Sequence, residues 1–160
     1  MKTTKLMIKH FWENNTEEII KNSYKNYHCE GVDSICLLNK DGYRIRMFIA
    51  HNSHKLHQNN PMSVGFHSHH CDITIKVIKG TIYNKILKLY HFPHYLTRQT
   101  FNKFFYQSKI NTNKIKFKFI EKVEGYYESG VYFNTESFFL PAKTLHTIYV
   151  EPNKSAVWLV

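Results

Sequence analysis

The chain has 160 residues, 42% hydrophobic and 16% aromatic, which suits one domain with a core that needs no disulfide staples. Its formal net charge of +10 is nearly all lysine, scattered among apolar residues, with Arg44, Arg46 and Arg98 the only arginines, so a nucleic-acid surface is not expected. Cys29, Cys36 and Cys71 are an odd set without a CxxC pair, which excludes a disulfide framework and a zinc knuckle.

The opening MKTTKLMIKHFWENN carries basic residues but no apolar signal region, and no run approaches a membrane span. No membrane association is expected, and a reducing, cytoplasmic compartment is. Asn14–Tyr27 then predicts one short helix. Asn15 or Thr16 caps it, Glu17 and Glu18 fall in its first turn, and Ile19, Ile20, Tyr24 and Tyr27 form an apolar stripe. Residues 1–30 therefore read as a helical flank on a single domain whose remainder, 31–160, is β-structure.

From Gly31 onward short strands alternate with turn signals. SICLL, the turn Asn39-Lys40-Asp41-Gly42 and YRIRMFIA predict a hairpin. His51 to Asn60 is a polar loop. A long β-rich run follows, closed by Gly80, then TIYNKILKLY. Lys114–Gly125 alternates Lys with Ile or Phe, a half-buried strand with its lysines outward. Tyr90–Asn113 is rich in aromatics and reads as a short helix or an ordered excursion. GVYF, SFFL, HTIYV and AVWLV complete eight or more short strands, which make an all-β barrel the expected architecture.

The eleven histidines fall unevenly. His51, His54 and His57 sit in the polar loop and read as solvated. His67-Ser68-His69 carries more information, because residues i and i+2 of a strand share one face and both imidazoles would enter one space. His70 should face away. A closed barrel supplies an interior where two neutral imidazoles and a third ligand from a distant strand can hold a metal.

The run Gly65-Phe66-His67-Ser68-His69-His70-Cys71-Asp72-Ile73, ending at Gly80, resembles the first motif of the cupins. Leu140-Pro141-Ala142-Lys143-Thr144-Leu145-His146 resembles the second. The resemblance spans roughly residues 41–160. It implies a double-stranded β-helix barrel, or jelly roll, with His67, His69 and His146 around a divalent metal, and a homodimer. Two positions depart from the pattern. A glutamate common in the first motif is replaced by Ile73 or Thr74, and the usual glycine of the second motif is Lys143.

A three-histidine site resembles that of the thiol dioxygenases, the cysteine and cysteamine dioxygenase branch. That resemblance implies Fe(II), with zinc or nickel as alternatives, and oxygenation of a small thiol. It also implies that Arg44 holds a substrate carboxylate. Arg46 shares its strand parity, so alternation does not separate the two. Tyr83, or else Tyr132 or Tyr149, would donate a hydrogen bond to substrate, and Cys71 could face the same interior. Two other functions fit the same barrel: a metal-independent sugar-nucleotide epimerase or isomerase using a His base and a Tyr acid, and a non-catalytic ligand-binding or structural protein.

Overall fold

The structure is a computed structural model that describes residues 2–27, 30–51, 65–89, 99–107 and 116–160. The fold is all-β, made of curled antiparallel sheets, with two short helices at the N-terminus. The helices are α1 (Lys2–Asn14) and α2 (Thr16–Asn22). The strands are β1 (Val32–Lys40), β2 (Tyr43–Ala50), β3 (Ile73–Lys79), β4 (Ile82–Leu89), β5 (Gln99–Gln107), β6 (Lys116–Tyr132), β7 (Ser137–Leu140), β8 (His146–Tyr149) and β9 (Ala156–Leu159). One sheet runs β1-β2-β9-β3-β7 and the other β5-β6-β4-β8. The chain forms two compact units, residues 1–86 with 129–160, and residues 87–128.

In the first unit the single expected helix is two. Within the helical flank expected over residues 1–30, residues 2–14 form α1 ahead of the one expected helix, and α2 ends at Asn22 instead of continuing to Tyr27. Beyond Asn22 the chain is already extended. Tyr24 exchanges backbone hydrogen bonds with Ser34 of β1, at 2.8 and 2.9 Å, and so caps the open edge of that strand. The expected apolar stripe splits accordingly, with Ile19 2% exposed and Ile20 66% exposed. Ile19 lies beside Cys36, Leu37 and Leu38 in the space between α2 and β1.

The β1–β2 hairpin turns at Asp41 and Gly42, both at positive φ (51° and 81°), as the Asp-Gly pair predicts. β9 lies between β2 and β3, so Trp158 sits opposite both Phe48 and Val77. The Phe48 and Trp158 rings stack at 5.5 Å. These residues join Val32, Ala50, Ile75, Ile82, Leu140, Ile148, Val150 and Ala156 in one core fed by strands of both sheets. Burying side chains of this kind stabilises the fold by ~1.5–3 kcal/mol each.

In the second unit β5 and β6 form an antiparallel hairpin from Gln99↔Gly125 to Gln107↔Lys116. A Lys103–Glu121 ion pair at 2.7 Å bridges it. Part of the aromatic stretch expected as a short helix or an ordered excursion is thus strand β5. The expected lysine-outward strand is the first half of β6, where Lys122 is exposed. Residues 52–64, with His54 and His57, lie outside the described residues, as do Cys29, Arg98 and the rest of the 90–113 excursion.

Candidate metal centre

Two short segments of the first unit build the site: residues 65–72, which lead into β3, and residues 141–146, which lead from β7 into β8. They are extensions of strands that already pair, since Ile73 lies opposite Leu140 in the β3–β7 ladder. Beyond that pair three further contacts fasten them together. The Ala142 N–H donates to Asp72 Oδ1 at 2.8 Å. The Lys143 N–H donates to the His69 carbonyl at 2.9 Å, and His67 and His146 exchange backbone hydrogen bonds at 2.9 and 2.8 Å. The turn between β7 and β8 closes with a Thr144 N–H to Pro141 carbonyl bond of 3.2 Å, and Lys143 adopts φ 66° to make it.

This stitching brings His67, His69 and His146 together, each with a ring nitrogen within 4.8 Å of the others'. The ring centroids are 4.8–5.2 Å apart. His67 and His69 do share one space, as the HxH spacing predicts, although only His67 is paired in a β-bridge. His146 is 2% exposed and His67 and His69 are half-buried.

Hydrogen bonds determine which nitrogen His67 and His146 present. His67 Nδ1 lies 3.0 Å from the Gly65 carbonyl oxygen, which can only accept, so Nδ1 carries the proton and the lone pair is on Nε2. His146 Nδ1 lies 2.9 Å from Asn84 Oδ1, with the same consequence. His69 Nε2 stands 3.0 Å from His146 Nε2. With the His146 lone pair on Nε2, this is a hydrogen bond that His69 Nε2–H donates to His146 in the metal-free chain.

Electrostatics keep the rings neutral. Burial pushes the His146 pKa down to about 3, helped by the adjoining His67 and His69. Burial also lowers His67, against a smaller opposing effect of the Gly65 carbonyl. His69 is lowered by burial and then by the neighbouring His67 and His70. Neutral imidazoles with free lone pairs are the form that binds a cation. The three histidines could therefore bind a divalent metal, and the donor set fits one: three nitrogens and, among the described residues, no carboxylate in the group.

The other residues singled out in the sequence lie differently. Tyr83 is on β4, but the neighbouring Asn84, on the opposite face of the strand, is the residue that reaches His146. Tyr83 stacks on Tyr149 at 4.8 Å and donates to Glu151 Oε1 at 2.5 Å, a bond that raises its pKa. Arg44 is exposed at the end of the β1–β2 hairpin, its Nε donating to Asn39 Oδ1 at 3.2 Å. Arg46 donates to the buried Ser34 Oγ at 2.8 Å and to the Asn22 carbonyl at 3.3 Å, and its guanidinium lies over the Tyr24 and Tyr27 rings. Cys71 is exposed rather than interior. His70 is exposed, as its parity predicts, and His51 pairs with Asp33 at 3.0 Å instead of standing free in solvent. Sequence reading missed Asn84, which sits among Ile82 and Ile86 in an apolar strand where nothing local marks it.

No family model and no curated relative matches the chain. Among solved structures it is similar to hydroxypropylphosphonic acid epoxidase from S. wedmorenis, at 12% identity and a TM-score of 0.48. That match covers 87% of this chain and 54% of the epoxidase chain, so this chain spans about half its length. It is similar to a protein of unknown function from Vibrio parahaemolyticus, at 13% identity and a TM-score of 0.42, over 86% of this chain and 93% of that one. A third similarity is to Drosophila melanogaster CENP-C bound to CAL1, at 10% identity and a TM-score of 0.48, over 99% and 94% of the two chains.

Proposed function

We propose that this chain is a metal-dependent protein of the cupin type. In this reading His67, His69 and His146 hold Fe(II), or else zinc or nickel, and the reaction is the dioxygenation of a small thiol. The observation that carries the reading is the convergence of three neutral imidazoles from two separate segments, two of them with the Nε2 lone pair specified by a hydrogen bond.

A divalent ion held by three neutral nitrogens supplies Lewis acidity and open coordination positions, and it lowers the pKa of a thiol that ligates it. The chain's own contribution is to hold the imidazoles still and unprotonated. Asp72 is the acidic residue nearest the histidines in sequence on the first segment, and it spends Oδ1 on the Ala142 N–H, stapling the two segments instead of adding negative charge to the donor set. The site would keep the ion's positive charge, which favours an anionic ligand such as a thiolate. The overall change, RSH + O₂ → RSO₂H, puts both oxygen atoms on sulfur and requires no separate reductant.

The test is metal analysis of the purified chain beside His67→Ala and His146→Ala. Near-stoichiometric metal that is lost in both variants supports the centre, and oxygen uptake with small thiols then tests the reaction. A wild-type chain that takes up no metal after anaerobic Fe(II) loading rejects the metal reading. A metal-loaded chain that consumes no oxygen with any small thiol rejects the dioxygenase.

A further inference from the structure

Asn84 stands out among the buried polar groups. It is 1% exposed, on the β4 face that it shares with the fully buried Ile82 and half-buried Ile86, where an apolar side chain would be expected. In the β4–β8 ladder Ile86 lies opposite His146 and Asn84 opposite Ile148. Asn84 is therefore the diagonal neighbour of His146, within side-chain reach on the same face. Its Oδ1 meets His146 Nδ1 at 2.9 Å, whereas its Nδ2 has no hydrogen-bond partner among the described residues. A buried amide used at one end only is poorly explained as a device for stability, because a buried donor without an acceptor is destabilising.

We propose that Asn84 is the positioning residue for His146: its Oδ1 accepts the Nδ1 proton, fixes the tautomer and turns the Nε2 lone pair towards His67 and His69. The tautomer claim stands on the apo geometry, and its importance for metal binding rests on the reading above. A neutral imidazole has one proton to place. Left to itself it would put that proton on Nε2 in a substantial fraction of molecules and block the lone pair. Oδ1 cannot donate, so it forces the proton to the far side of the ring. The unpartnered Nδ2 goes with that orientation: the flipped amide would donate Nδ2–H to an Nδ1 lone pair and leave the ring proton on Nε2, so amide orientation and tautomer are linked. Gly65 performs the same task for His67 through its backbone carbonyl. For His146 the acceptor is instead a side chain from the adjacent strand β4.

The experiment reads the tautomer directly, by two-bond ¹H–¹⁵N correlation of the histidine rings in the full metal-free chain at neutral pH. His146 is assigned by its loss in His146→Gln. The wild-type chain should show the Nδ1–H pattern for His146. Asn84→Asp, which keeps the acceptor, should retain it, and Asn84→Leu, close in volume but apolar, should shift it towards Nε2–H. Amide dispersion shows whether each variant is folded. If Asn84→Leu does not fold, the wild-type and Asn84→Asp patterns still decide. An Nε2–H pattern in the wild-type chain overturns the proposal, and so does an unchanged Nδ1–H pattern in a folded Asn84→Leu. With Zn²⁺ as probe, Asn84→Leu should bind about 10- to 100-fold more weakly than wild type, with Asn84→Asp restoring affinity. A wild-type chain with the Nδ1–H pattern and no Zn²⁺ binding would sink the metal reading and leave the Asn84 assignment standing.

Discussion

His67 and His146 exchange both of their backbone hydrogen bonds, at 2.9 and 2.8 Å, so the two metal-ligand candidates furthest apart in sequence are joined through the main chain. Their separation depends on the β-pairing and not on the rotamers of long side chains. A site fastened in this way exists before any ion arrives, which removes much of the ordering cost of binding.

The neutral histidines make the metal-free chain sensitive to acid. A His whose pKa is lower in the folded than in the unfolded state lets the unfolded chain bind more protons, so stability falls as pH drops below the ordinary His value of 6.5. For His146 the fall should continue down to about 3, the range over which only the unfolded state takes the proton. Between pH 6.5 and about pH 5, His146 alone should account for a loss of about 2 kcal/mol. Urea midpoints across that window measure it, and His146→Leu should flatten the profile. An equally steep profile in that variant would contradict the assignment.

Asp72 is expected to act through geometry. Asp72→Ala removes the acceptor for the Ala142 N–H and should lower stability by about 1 kcal/mol and metal affinity several-fold. Asp72→Asn keeps an acceptor oxygen and should lie close to wild type. Calorimetric titration with Zn²⁺ compares the three.

The two arginines of β2 should behave differently. Arg46→Lys keeps the charge but loses the fork that reaches Ser34 Oγ and covers two tyrosine rings, and it should destabilise the fold by about 1–2 kcal/mol. Arg44→Lys, exposed at the hairpin end, should change stability by less than about 0.5 kcal/mol. Denaturant titration of both variants measures the contrast.

Tyr83 faces away from the strand side that carries Asn84. Tyr83→Phe removes the bond to Glu151 and should leave Zn²⁺ affinity unchanged within about twofold, with less than about 1 kcal/mol lost in stability. A large fall in affinity would show that this face of β4 communicates with the histidines.

Lys143 adopts a left-handed conformation (φ 66°) that glycine takes at no steric penalty. Lys143→Gly should therefore raise stability by about 0.5–1 kcal/mol, read as an upward shift of the urea midpoint, with the turn before His146 intact.

Local pattern made much of this protein legible in its sequence. The Asp-Gly turn with alternating flanks defined the β1–β2 hairpin, because both signals depend only on neighbouring residues. The HxH spacing put His67 and His69 in one space, because strand parity has a period of two. The same local reasoning ran α2 past its end at Asn22 and did not mark β5 as a strand. Tyr24 pairs with Ser34 and cannot stay helical while doing so, and aromatic residues suit a pleated surface as well as a helical face. The tertiary structure alone decided which face of β4 meets His146. That choice follows from the β4–β8 register, which pairs Ile86 with His146 and so selects Asn84 over Tyr83. It also decided that Arg46 is tied to Ser34 and the tyrosines, through the pairing of Arg46 with Cys36 across β1 and β2. A chain's local pattern determines how residues alternate along a strand. Which distant strand they meet is set by burying the apolar faces of all the strands at once, and no single segment carries that information.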